Sequence, residues 1–153
     1  MATVQDKYNE TMEPGYRGAV ANMRLRDLIS RTVEDEGLTG FGLAVAKGTT
    51  DRTVTRNLTG KTSIVGVTVL DRGARMSLDG QTEGFAQYDT ARIADKGSLW
   101  VEVSVDVTAD EPAFVTPANP GLFTNVATGN IRVGKFEKSA KAGALAVLNV
   151  DIQ

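Results

Sequence analysis

From Ser98 to Thr108 every second residue is apolar. Leu99, Val101, Val103, Val105 and Val107 share one face, and Ser98, Trp100, Glu102, Ser104, Asp106 and Thr108 share the other. A period of two is the signature of a β-strand with one buried face. A helix is excluded, because its apolar positions would recur about every 3.6 residues. A second alternating segment, Thr62–Leu70, sets Val65, Val67 and Val69 against Ile64, Gly66 and Thr68. Shorter strands are expected at Leu28–Val33, Phe41–Ala46, Thr53–Asn57, Thr90–Ala94, Ala113–Val115, Ile131–Phe136 and Ala144–Ile152. Turns fall between them at Asp35-Glu36-Gly37, Lys47-Gly48, Asp71-Arg72-Gly73, Asp79-Gly80, Lys96-Gly97 and Asn119-Pro120-Gly121. Many short strands at this spacing predict an all-β fold, an antiparallel β-sandwich or jelly-roll-like barrel. Lys138–Ala142 could add one helical turn.

The 153 residues include no histidine and no cysteine. The chain therefore has no imidazole to move protons near neutral pH and no thiol to act as nucleophile or zinc ligand. That gap favours a protein that works by contact and shape. Seventeen basic residues against nineteen acidic ones give a net charge of −2, which argues against a nucleic-acid binder. The opening Met1–Lys7 lacks the apolar run of a signal peptide, and no apolar run reaches the length of a membrane span. A soluble protein made in the cytoplasm is expected.

The first 26 residues differ from the rest. They are polar, and Pro14, Gly15 and Gly18 interrupt any long helix. Yet they hold Tyr8, Met12 and Tyr16, followed by Met23. We read residues 1–26 as an N-terminal arm with apolar contacts to make, and residues 27–153 as the β body. The alternative is a loop packed on its own domain. Over residues 17–31, Arg17, Arg24, Arg26 and Arg31 give a basic bias, relieved only by Asp27, which suits docking on an acidic protein surface. The same charges would also discourage edge pairing of strands. Tyr8, Met12, Tyr16, Arg17 and Arg24 are the candidate contact residues. Trp100, the one tryptophan, lies on the polar face of the best strand, where a loop or the arm is expected to cover it.

Catalytic and ligand motifs are weak. Gly60-Lys61-Thr62 resembles the end of a phosphate loop, but Thr55 stands where the first glycine belongs and a valine-rich strand follows instead of a helix. Glu34-Asp35-Glu36 lacks the alternating ligands of a calcium loop and reads as a solvated turn. Lys138-Ser139-Ala140-Lys141 reads as a surface turn. No catalytic residue, metal or cofactor is expected.

Three segments resemble the structural cement proteins of tailed bacteriophage capsids: Ile29–Val45, Phe85–Val101 with its tyrosine-aspartate block, and Phe136–Val147. The similarity spans nearly the whole chain, and residues 72–84 depart from it. The resemblance implies a jelly-roll-like body on the outer surface of the virion, with no enzymatic activity. It implies that the protein clamps neighbouring subunits of the major capsid protein. A homodimer or homotrimer is expected, with neither nucleic acid nor membrane as partner. The alternative is a β-sandwich module that recognises a cell-surface carbohydrate or protein. Against it stands the scarcity of aromatic platforms: one Trp, three Tyr and five Phe.

Overall fold

A computed structural model of the chain describes residues 15–35, 37–71, 73 and 83–152. All regular structure among these residues is β. The strands are β1 (Asp27–Val33), β2 (Gly37–Thr39), β3 (Ala44–Lys47), β4 (Thr53–Thr55), β5 (Gly66–Thr68), β6 (Gly84–Ala86), β7 (Thr90–Val103), β8 (Pro112–Thr116), β9 (Asn119–Thr124), β10 (Ile131–Phe136) and β11 (Leu145–Asp151). β2 and β6 pair with each other alone, and the other nine form one sheet.

That sheet closes on itself twice. The order β1-β4-β3-β5-β7 returns to β1 through a β1–β7 pairing. The order β7-β11-β10-β8-β9 returns to β7 through a β7–β9 pairing. Two five-strand rings therefore share β7, and closure removes the open edges that invite aggregation. The all-β, barrel-forming expectation holds. Pairing is mostly antiparallel, with parallel contacts at β1–β4 and β7–β9.

The 14 residues of β7 serve both rings. Its first half pairs with β1 from Thr90 to Lys96 and with β5 at Ile93 and Ala94. Its second half pairs with β11 from Lys96 to Glu102 and with β9 at Glu102 and Val103. The halves are joined by a bulge. Asp27 faces Lys96 while Leu28 faces Ala94, so Asp95 is an extra residue. A bulge twists a strand and re-aims its side chains. Ala91 and Ile93 accordingly enter one core, and Leu99, Val101 and Val103 enter the other. Gly97, at φ +130°, takes the strand through the bend.

The smaller core lies in the first ring and includes Val33, Val45, Val54, Phe41 and Phe85, the two rings meeting edge to face at 5.5 Å. The larger core holds Ala113, Val115, Phe123, Val133, Phe136, Ala146, Leu148 and Val150 around the second ring. It continues over the far side of β3 and β5 through Ala44, Ala46, Val67 and Val69.

Several local expectations change. The predicted turn at Lys96-Gly97 is the bulged middle of β7, so two predicted strands are one. Hydrogen-bonded strand ends at Val103, although the burial alternation continues to Val107, which bridges Ala140. Thr62–Leu70 shortens to β5, buried on both faces because a core lies on each side. Asn119-Pro120-Gly121 opens β9, and the turn sits earlier, at Pro117-Ala118. No helical turn forms at Lys138–Ala142. The Asp79-Gly80 turn lies outside the described residues.

Candidate docking surface

The flank of β7 between β1 and β9 is filled by the N-terminal segment. Gly18 donates its amide to the Trp100 carbonyl at 2.7 Å, Trp100 donates to Ala19 at 2.9 Å, and Ala21 donates to Ser98 at 2.9 Å. Val20 lies opposite Leu99 in this short antiparallel contact. Its own N–H and C=O therefore point away from β7, since its neighbours make the bonds. The Gly18 carbonyl also accepts from Leu70.

Side chains fasten the same segment. Arg17 pairs with Glu102 at 3.1 Å. Arg24 pairs with Glu137 at 2.9 Å, and Glu137 also accepts from Asn22 and Ser98. Gly15 lies against the Trp100 indole, where an added Cβ would come within 2.8 Å of the ring. Lys138 sits on that indole too. Trp100 is thus covered, at 8% exposure, although it occupies the strand's polar face.

What this segment turns outward is apolar and basic. Met23 is 97% exposed, Leu25 76% and Tyr16 74%, and Val20 and Leu28 are also exposed. Arg24 and Arg26 interleave with them, and Arg26 has no ion-pair partner among the described residues. Large exposed apolar side chains in contiguous array mark interaction sites. The structure brings Tyr16, Arg17 and Arg24 onto this one ribbon, residues 15–28. Tyr8 and Met12 lie outside the described residues. Met23, Leu25 and Leu28 extend the candidate set. The sequence signal for them was the alternation Met23-Arg24-Leu25-Arg26, an apolar and basic mixture unsuited to a core.

The remaining motifs have structural roles. Glu34 accepts from Thr49 and Thr53, and Asp35 from Thr55 and the Arg56 amide. Gly60 occupies a turn at φ +74°, and the following strand carries no phosphate-loop helix. Ser139 accepts from the Ala109 amide. Among the described residues no group of three acidic side chains is placed to hold a metal ion.

Residues 4–151 match the family described as "Structural cement protein (E217 gp24/Pam3 gp6)". No curated protein matches the chain. Among solved structures, a chain from "The capsid of Myoviridae Phage XM1" superposes with a TM-score of 0.69 at 16% identity, covering 99% of this chain and 98% of that one. At that identity the likeness is one of fold. With the family match spanning nearly the full length, the chain belongs to the structural cement proteins of bacteriophage capsids.

Proposed function

We propose that this structural capsid protein binds the outer surface of the assembled major capsid shell and clamps neighbouring subunits. Residues 1–26 act as the docking arm, with Tyr8, Met12, Tyr16, Arg17 and Arg24 among its contacts. The observation that carries this reading is the ribbon itself: exposed Tyr16, Met23 and Leu25 set among arginines and braced on the strand shared by both rings. A rigid body with an adhesive strip stabilises whatever geometry it fits. Binding the assembled lattice but not free subunits shifts the equilibrium toward the lattice by mass action. No chemical step is required, and the protein acts without cofactor or enzymatic activity. It works as a homodimer or homotrimer on the virion surface, after synthesis in the host cytoplasm, with neither nucleic acid nor membrane as partner.

A carbohydrate-binding role loses the tryptophan as a platform, because Trp100 is buried beneath Gly15 and Lys138.

The test is co-sedimentation with undecorated shells. Met23→Asp with Leu25→Asp is expected to weaken binding tenfold or more, equivalent to ~1.4 kcal/mol, with an unchanged melting temperature. Deleting residues 1–14 measures the share of Tyr8 and Met12. Wild-type affinity in both variants would move the docking site elsewhere on the body.

A further inference from the structure

Beside the ribbon a groove of about 490 Å³ runs between the β4–β5 connection and the β8–β9 turn. It is lined by Arg17 and Leu43, by Arg56, Asn57 and Thr59, and by the Pro117–Gly121 segment. No carboxylate lines it.

Its two charged side chains, Arg17 and Arg56, are guanidiniums and can only donate. Asn57 spends its side-chain oxygen on the Thr59 amide at 3.1 Å. Asn119 spends its own on the Gly121 amide at 3.1 Å. Each asparagine oxygen is thereby partly engaged, while its NH₂ group remains to donate. Arg17 is held in place by Glu102 and by close backbone: a Cβ on Gly40 would come within 2.6 Å of Nη2, and one on Gly42 within 2.8 Å of Cγ. Arg56 is exposed and has no ion-pair partner among the described residues. Leu43, Pro117 and Pro120 add apolar surface. A guanidinium held in an ion pair, an exposed one and two amide donors beside apolar surface suit an extended chain with carboxylates flanking an apolar side chain.

We propose that this groove is a second docking site, and that its occupant is an acidic, extended segment of the capsid protein. This rests on the capsid-binding reading above. Charge complementarity selects the occupant: the lining carries two guanidiniums and no carboxylate, and Glu102 offsets only Arg17. A second copy of this chain is disfavoured there, because self-pairing about the groove would oppose arginine to arginine. The net charge of −2 argues against nucleic acid. With the ribbon on one subunit and the groove on another, a single molecule spans a seam.

The experiment is an amide-resolved NMR titration of the full chain with the capped peptide acetyl-Glu-Leu-Asp-Glu-amide. The amides of Leu43, Asn57, Thr59 and Gly121 are expected to shift in a saturable way. Its uncharged counterpart, acetyl-Gln-Leu-Asn-Gln-amide, is expected to leave them in place. Arg56→Gln is expected to weaken the response at least fivefold with an unchanged melting temperature. No response, or an equal response from the uncharged peptide or from Arg56→Gln, overturns the proposal. A stronger response of the same amides to oligothymidylate overturns it in favour of nucleic acid. In parallel, Arg56→Glu is expected to lower shell binding at least fivefold. Shells that bind Arg56→Glu as wild type but lose the Met23→Asp, Leu25→Asp variant overturn the groove and leave the ribbon standing. Shells that fail to bind the wild type sink the capsid reading itself, while the titration still decides the groove's chemistry.

Discussion

The ammonium of Lys138 lies 5.0 Å from the centre of the Trp100 ring, on an indole that Gly15 also covers. A cation over an aromatic face contributes roughly 0.5–2 kcal/mol, more as water is excluded. The N-terminal segment, the β10–β11 connection and β7 meet at this one side chain. Trp100 is the chain's sole tryptophan, so its fluorescence reports on that junction.

Deleting residues 1–18 removes Gly15 and the amide that bonds to the Trp100 carbonyl. The emission maximum is expected to move to longer wavelength while the far-ultraviolet spectrum stays β. Unshifted emission would mean that other groups shield the indole.

Leu148 and Phe85 are fully buried in different cores. Leu148→Ala is expected to cost about 2–5 kcal/mol and Phe85→Ala about 3–5 kcal/mol. Because β7 contributes to both cores, each variant should still melt in a single transition. Two separated transitions in calorimetry would show that the rings unfold independently.

Gly97 holds φ +130°, and a Cβ there would come within 2.7 Å of the Arg26 Cβ. Gly97→Ala is expected to destabilise by about 1–3 kcal/mol, the usual cost of forcing a side chain into such backbone. Denaturant unfolding checks this; wild-type stability would show that the bend relaxes without difficulty.

Glu34 accepts the Thr49 amide at 2.7 Å and the Thr53 hydroxyl at 2.8 Å. These bonds, the Thr49 amide foremost, hold its carboxyl below the ordinary value of 4.5. A carboxylate depressed by folding adds stability above its unfolded pKa and loses it as pH falls through the folded value. Glu34→Gln is therefore expected to be less stable than wild type at neutral pH. The difference should shrink as pH drops below 4.5 and vanish once both forms are neutral. A difference independent of pH would assign the effect to shape rather than charge.

Much of the fold was legible because strands announce themselves by period. Leu99, Val101 and Val103 are buried as their alternation requires. Trp100 broke the pattern because a segment remote in sequence covers the polar face. Gly66 and Thr68 broke it because β5 lies between two cores, where neither face meets water. Lys96-Gly97 read as a turn because glycine marks bulges and turns alike. The ribbon was legible through Tyr16, Arg17 and Arg24, which lie in one short stretch of the chain. The groove was not, because Arg17, Arg56 and Asn119 meet only through ring closure.

The long strand common to both rings also has a mechanical meaning. Its ladder bonds run across the strand axis, so a pull along β7 loads them in parallel. Such a load must slide β7 past β1, the N-terminal segment and β9 on one flank, and past β5 and β11 on the other, all at once. A peeling load would break bonds one at a time; a shearing load cannot. A load along that axis, on which the ribbon of residues 15–28 is laid, meets the resistance of a rivet.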